Sequence, residues 1–353
     1  MDLIVELGKR SYPIIFCDID EAGQRLTECV KSKKFMVITD DNVEKYYLKD
    51  ICRSLESQGY EVVTSVIPAG EESKTMETAK GLLQQALKYG LDRTSCIAAL
   101  GGGVVGDISG FVAATYMRGI DFVQIPTTLL AQVDSSVGGK VAVNLPEAKN
   151  IVGAFHQPRA VIVDVKTLKT LPERELKTGL AEVIKYGVIR DKGFFQWLDI
   201  HMEDLLALDM EALKYAIKRS CEIKAEIVGQ DETEQGLRAV LNFGHTLGHA
   251  LEALTDYKKY THGEAVAIGM VYASKIALNR KMISQQFYDE ILKLIKKAGL
   301  PTVFDDFPFE EVLNKLTSDK KAYNGRIIFA LVDENRNFIK AEIHPDEIKS
   351  VLY

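Results

Sequence analysis

No uninterrupted apolar run in the chain approaches the ~18 residues needed to cross a bilayer, which argues against a membrane span. The first residues, "MDLIVELGKRSYPIIF", carry acids and no long apolar stretch, so a cytoplasmic protein without a secretory signal is expected. Cysteine is scarce: five among 353 residues (Cys17, Cys29, Cys52, Cys96, Cys221), widely spaced and with no CxxC pair. That excludes a disulfide scaffold and a thiolate zinc site, and predicts reduced, mostly buried thiols. There is no Lys/Arg cluster, no repeat and no low-complexity tract, and the net charge is −6. Nucleic acid and anionic membrane are therefore not expected partners. A mildly acidic total still permits one cleft lined with lysines.

What is present is an ordinary globular composition, 46% hydrophobic and 27% charged, in a chain long enough for two domains. The first half alternates short apolar runs with helical patterns. "FMVIT" (35–39), "EVVTSVI" (61–67), "SCIAAL" (95–100), "DFVQI" (121–125) and "AVIVD" (160–164) read as strands. Strand–helix alternation implies a parallel α/β sheet. From about 173 to 320 the periodicity is mostly helical, and a hairpin, "RIIFALVDENRNFIKAEI", and a short helix end the chain. The expected division is an α/β domain over 1–168 and a mostly α-helical domain over 169–353.

"GGGVVGD" follows a strand and opens a helix, and Gly101, Gly103 and Gly106 satisfy GxGxxG. Glycines let a backbone approach a ligand, and amides at a helix start favour phosphate. The loop is not in the first βαβ unit and Asp107 follows at once, so the match to a simple dinucleotide fingerprint is imperfect. A tight strand–helix turn is the plainer alternative; three consecutive glycines favour a phosphate cradle. "TDDN" (39–42), "GEESK" (70–74) and "PTT" (126–128) also follow strands, where open parallel sheets bind ligands. Each alone reads equally as a turn or cap.

Lys140, Lys149 and Asn150 lie in a glycine-containing segment. Glu182 and Lys185 share a helical face, Lys224 lies in a long helix, and Arg238, Asn242 and His245 follow at helical or near-helical spacing. A lone lysine is usually a solvated surface charge; this grouping points to an anionic substrate. Three of six histidines, His245, His249 and His262, fall within 241–265. His245 and His249 stand four apart, so one helix could present both to a metal. Thr246 occupies the position of the general-base Glu in HExxH, which excludes that metalloprotease motif. Gly244 and Gly248, also four apart, suggest a closely packed neighbour. Spacing alone favours His245 and His249 as ligands with His262 or Glu264 as a third; two hydrogen-bonded histidines at a helix crossing is the alternative.

Together, "GGGVVGDISGFVAATYMRGI", "IPTTLLAQVDSSVGGKVAVN", "KNIVGAF", "GLAEVIKYGVI", "LNFGHTLGHALE", "HGEAVAIGM" and the "DKK" at 319–321 resemble the 3-dehydroquinate synthase family over nearly the whole chain. The resemblance implies an NAD-binding α/β domain, a helical metal- and substrate-binding domain, and a homodimer. It implies one Zn²⁺ or Co²⁺ held by Glu182, His245 and His262, and moves His249 to the substrate. Two imidazoles and a carboxylate, with positions left open, suit a catalytic zinc. For NAD it implies Asp40, Asn42, Glu71, Lys74, Gly102, Gly103, Val104, Val105, Gly106, Asp107, Thr127, Thr128, Lys140, Lys149, Thr167, Leu168, Lys169 and Thr170. For substrate and catalysis it implies Asp134, Lys140, Asn150, Lys185, Lys224, Arg238, Asn242, His249 and one of Lys320/Lys321. Arg118 resembles an arginine that reaches a neighbouring subunit's active site. Ala148 stands where the family commonly has Gly.

The implied reaction converts a seven-carbon keto-acid sugar phosphate to a carbocycle with loss of phosphate. A cyclase acting on a neutral sugar phosphate would not need Lys224 and Arg238 as a carboxylate clamp. A metal-dependent polyol dehydrogenase would release NADH and need fewer phosphate-directed cations. A non-enzymatic NAD-binding protein should have lost metal ligands or lysines.

Overall fold

Every residue of "CIAALG" is buried, as a strand covered on both faces requires. In the computed structural model, which describes residues 2–318 and 327–352, this strand is an inner strand of a seven-stranded sheet. The Lys320/Lys321 pair lies outside the described residues. Contacts divide the chain into two units, Met1–Leu171 with Lys224–Glu232, and Pro172–Ile223 with Thr233–Tyr353.

The strands of the first unit are β1 (Leu3–Val5), β2 (Tyr12–Phe16), β3 (Lys34–Asp40), β4 (Glu61–Ile67), β5 (Cys96–Gly101), β6 (Asp121–Pro126), β7 (Lys140–Leu145), β8 (Ala148–Phe155) and β9 (Ala160–Val163). Its helices are α1 (Ala22–Leu26), α2 (Lys49–Glu56), α3 (Met76–Lys88) and α4 (Gly103–Thr115). The sheet order is β1-β2-β9-β6-β5-β3-β4. β1 is antiparallel to β2 and all other neighbours are parallel. Five of these strands are the five read from sequence. β1 and β2 were not among them; β2 carries Pro13, which has no N–H to give a ladder and belongs at an edge or strand start. Here β9 pairs only with Ile14–Phe16, leaving Pro13 opposite Ile4 of β1. β7 and β8, also missed, form a separate antiparallel hairpin with an irregularity between Val143 and Leu145.

Side-chain alternation explains the two cores. Met36, Ile38, Ile97, Ala99 and Phe122 pack with residues of α3 and α4. Phe35, Val37, Cys96, Ala98, Leu100 and Val123 pack with residues of α1 and α2. Each fully buried Leu, Ile or Phe contributes about 1.5–3 kcal/mol relative to exposure.

The second unit is built on α5 (Glu173–Ile189), α6 (Lys192–Leu206), the start of α7 (Met210–Gln230), α8 (His245–Leu254), α9 (His262–Asn279), α10 (Gln285–Lys297), α11 (Phe309–Ser318) and α12 (Pro345–Leu352), with the hairpin β10 (Ile327–Val332) and β11 (Phe338–Ile343). The end of α7 groups with the first unit because Lys224 bonds Asp134 and, just beyond the helix, Glu232 pairs with Arg10. No helix among the described residues is long and apolar enough to cross a membrane.

The glycine pair read from sequence has its close neighbour. A Cβ on Gly244 would lie 2.7 Å from the Val266 carbonyl oxygen, and one on Gly248 3.2 Å from that of Ala265. Gly244 also has φ +81°, which favours glycine. A Cβ on Gly263 would lie 2.1 Å from the Thr178 carbonyl oxygen. α9 therefore packs backbone to backbone on both α8 and α5.

Candidate active site

These contacts gather three metal-competent side chains. Glu182 lies on α5 one turn after Thr178, His245 is the first residue of α8, and His262 the first of α9. One ligand atom from each falls within 4.8 Å of the others. His245 Nε2 is 3.5 Å and His262 Nε2 3.7 Å from Glu182 Oε1. Glu182 is fully buried and its Oε1 accepts no hydrogen bond, while its Oε2 meets the Lys185 ammonium. An unpaired carboxylate oxygen in a buried site is costly without a cation. His245 Nδ1 is 3.1 Å from the Phe243 carbonyl oxygen, which can only accept. The Nδ1–H tautomer follows, leaving the Nε2 lone pair towards Glu182. The donor set fits a Zn²⁺ or Co²⁺ ion with positions left open.

Spacing left His262 and Glu264 open as the third donor. The Glu264 carboxylate is engaged elsewhere: it takes 2.9 Å and 2.7 Å bonds from Arg174 and accepts the Thr261 amide at 2.8 Å. Thr261 Oγ1 in turn accepts the Glu264 amide, completing a capping box at the start of α9. Although burial opposes it, Arg174 and the Thr261 amide hold the Glu264 carboxyl below its usual range. His249 faces the same group, with its ring 5.4 Å from that of His245 and 6.2 Å from that of His262.

In the first unit the implied nucleotide residues follow the carboxyl ends of parallel strands. Asp40 ends β3 and Asn42 follows it; Glu71 and Lys74 come after β4; Gly102 to Asp107 after β5; Thr127 and Thr128 after β6; Thr167, Leu168, Lys169 and Thr170 after β9. β4 lies beside β3 on the side away from β5, and β6 beside β5 on the other, so the order switches between β3 and β5, where such sheets open a ligand crevice. Asp40 turns the chain by accepting the amides of Asn42 and Val43 at 2.9 and 3.0 Å. Burial raises its carboxyl, and those two amides oppose the rise. Gly102 caps α4 with no side-chain hydrogen bond, so the helix start offers amides. Val104 and Val105 form the first turn, Val105 buried. A Cβ on Gly103 would come 3.1 Å from Ser135 Oγ, and on Gly106 2.7 Å from Gln124 Oε1. Their need for glycine is therefore partly packing, which the sequence pattern does not distinguish from ligand approach. Tyr47 donates to the Thr167 carbonyl at 3.1 Å and meets Thr170 Oγ1 at 2.6 Å.

Lys74 is buried and bonds both Asp107 and, at 2.6 Å, Asn150 Oδ1. Burial raises the Asp107 carboxyl, against the lowering effect of Lys74. Asn150 sits on β8 with φ +52°, and its amide donates to Asn144 Oδ1 at 2.8 Å. Lys149 lies 3.6 Å from Glu71. Lys140 starts β7 and is exposed. Lys224 is buried and bonds the Asp134 carboxylate at 2.7 Å and its carbonyl at 2.6 Å. Lys185 and Arg238 are also buried, so the reading as solvated surface charges is set aside for Lys185, Lys224 and Arg238, while exposed Lys140 fits it. Arg118 is exposed in a left-handed turn with Met117 and Gly119.

Two acids escaped the sequence reading. Glu252 Oε2 lies 3.4 Å from His262 Nδ1, and Glu234 Oε1 accepts from Asn242 Nδ2 at 2.5 Å. The signal for Glu252 was its place one turn beyond His249, on the face that carries the histidines.

A family model described as 3-dehydroquinate synthase N-terminal matches residues 64–178, and one described as 3-dehydroquinate synthase C-terminal matches 179–322. The chain is 53% identical over 358 residues to the 3-dehydroquinate synthase of Thermoanaerobacter pseudethanolicus, covering all of both chains. Its fold is similar to ValA, the 2-epi-5-epi-valiolone synthase of Streptomyces hygroscopicus with NAD⁺ and Zn²⁺ bound: TM-score 0.90, 27% identity, 98% of this chain and 97% of that one. It is also similar to 2-deoxy-scyllo-inosose synthase complexed with carbaglucose-6-phosphate, NAD⁺ and Co²⁺: TM-score 0.88, 26% identity, 100% and 99% covered.

Proposed function

The chain belongs to the 3-dehydroquinate synthase family, and we propose that it converts 3-deoxy-D-arabino-heptulosonate 7-phosphate to 3-dehydroquinate and phosphate with catalytic NAD and one Zn²⁺ or Co²⁺. This is a phosphate-eliminating carbon–oxygen lyase of the shikimate pathway to aromatic amino acids. The observation that carries the reading is the donor set of Glu182, His245 and His262, with a buried carboxylate oxygen that accepts no hydrogen bond.

When bound, the ion supplies Lewis acidity to the hydroxyl being oxidised and NAD⁺ accepts and returns a hydride. The chain's own residues bind and position. The α4 amides, Asp40, Asn42, Glu71, Lys74, Thr127, Thr128, Lys149 and Thr167 to Thr170 hold the nucleotide. Lys140, Lys185, Asn150 and Arg118 hold the substrate phosphate; Lys224 and Arg238 hold its carboxylate. Lys185, Lys224 and Arg238 are buried, Lys185 against Glu182 and Lys224 against Asp134, so two of these cations are held in place by carboxylates before any ligand arrives. His249 contacts substrate beside the metal, with Asp134, Asn242 and a lysine of the 320/321 pair completing the set. Holding both anionic ends lets the sugar be oxidised, lose phosphate, be reduced and cyclise without leaving. The working form is a cytoplasmic homodimer to which Arg118 contributes across subunits.

A carboxylate-free sugar phosphate is the second reading, and Lys224 and Arg238 weigh against it. Purified protein with NAD⁺, Zn²⁺ or Co²⁺ and the heptulosonate phosphate should release phosphate without accumulating NADH. Stoichiometric NADH would favour a polyol dehydrogenase. Phosphate from a neutral sugar phosphate, with none from the acid, would favour the other cyclase.

A further inference from the structure

The described residues contain two groups of metal-competent donors that share His262: Glu182/His245/His262 and His249/Glu252/His262. A neutral imidazole offers one lone pair and one N–H, so His262 can be a ligand in one group and a hydrogen-bond donor in the other. Its Nε2 lies 3.7 Å from Glu182 Oε1 and its Nδ1 3.4 Å from Glu252 Oε2. The neighbouring His245 decides between them. Its Nδ1 faces a backbone carbonyl, so its ligating nitrogen is Nε2, on the Glu182 side. For His262 to join the same ion it must also turn Nε2 to Glu182 and donate Nδ1–H to Glu252. Glu252 is 7% exposed, on α8 one turn beyond His249.

We infer that Glu252 is a positioning residue that holds the His262 ring with Nδ1–H towards α8 and Nε2 turned to Glu182, where the metal would sit. The inference rests on the proposed Glu182/His245/His262 metal site. The 3.4 Å contact is long for a hydrogen bond, and closing it by a few tenths of an ångström suffices. A carboxylate there orients the ring and makes the imidazole a stronger donor to the ion. The assignment gives Glu252 no contact with substrate, and it makes the Glu252–His262 contact a support of the first group.

The test is Zn²⁺ competition against a chromophoric chelator, using metal-free wild type, Glu252→Ala, Glu252→Gln, His262→Ala and the Glu252→Ala/His262→Ala double variant. Thermal unfolding of the metal-free proteins serves as the fold control, and visible absorption of the Co²⁺ forms reports ligand geometry. Glu252→Ala should weaken Zn²⁺ by about 10–100-fold and change the Co²⁺ bands. Glu252→Gln, whose amide oxygen still accepts the Nδ1–H, should recover much of the loss. In the His262→Ala background the Glu252→Ala change should cost nothing further, because its effect runs through that ring. Zn²⁺ held by Glu252→Ala as tightly as by wild type overturns the inference alone. So does an undiminished Glu252→Ala loss in the His262→Ala background. A wild type that holds no Zn²⁺ overturns the metal site itself, and the inference with it.

Discussion

His262→Ala removes one of three donors and should lower metal content, read by metal analysis after gel filtration. His249→Ala should leave the metal bound and slow turnover, because the ring faces the site without belonging to the Glu182 group. Equal metal loss in both variants would overturn the ligand assignment. The thiols expected to be mostly buried are less so than their scarcity suggested. None of the five is in a disulfide; Cys96 and Cys221 are buried, and Cys17, Cys29 and Cys52 are only partly buried. Burial pushes the Cys17 thiol up to about 12 and that of Cys52 to about 11. A thiol reacts as its thiolate, so native protein at neutral pH should be alkylated slowly by iodoacetamide and rapidly once unfolded. Fast labelling of Cys17 in the folded state would contradict this.

At the scale of elements, helix contacts bring the site together. Gly263→Ala would set a methyl against the Thr178 carbonyl and push α9 from α5. A loss of roughly 1–3 kcal/mol is expected from such overpacking, with weakened Zn²⁺ binding because Glu182 and His262 sit on the two displaced helices. Unchanged metal affinity in a folded variant would show that this contact does not set the ligand geometry. Asp191 caps α6, accepting the Phe194 amide at 2.9 Å and pairing with Arg219 at 2.7 Å. Burial disfavours its charge, but the Phe194 amide and Arg219 prevail and hold its carboxyl below the usual 3.8. A depressed carboxyl stabilises above its ordinary range and loses that contribution as pH falls through the folded value. Asp191→Ala should therefore cost about 1 kcal/mol at neutral pH, with the gap to wild type narrowing below pH 3.8 in urea titrations. An acid-independent gap would assign the loss to packing alone.

For the whole molecule, metal binding is linked to stability. Zn²⁺ at about a hundred times its dissociation constant should add about 2.7 kcal/mol, seen as a higher unfolding midpoint that a chelator reverses together with activity. No shift would mean that Glu182, His245 and His262 hold no ion. The sequence by itself determined the class of fold and the chemical types at the site. Apolar runs such as "CIAAL" and the polar turns after them already place an α/β sheet and its ligand-binding edge, because both signals are local in the chain. Residue types in "NFGHTLGH" and "EVIKYG" already state imidazole and carboxylate. Tertiary structure decided which of them meet. Spacing reports neighbours along one helix, and there it pointed to His245 with His249. A metal instead selects donors that surround one point, and Glu182 reaches that point from α5 through backbone contact with α9. The same packing engaged Glu264 in a cap with Arg174 and set Glu252 behind His262. Neither partner is near enough in sequence for periodicity to have named the pair.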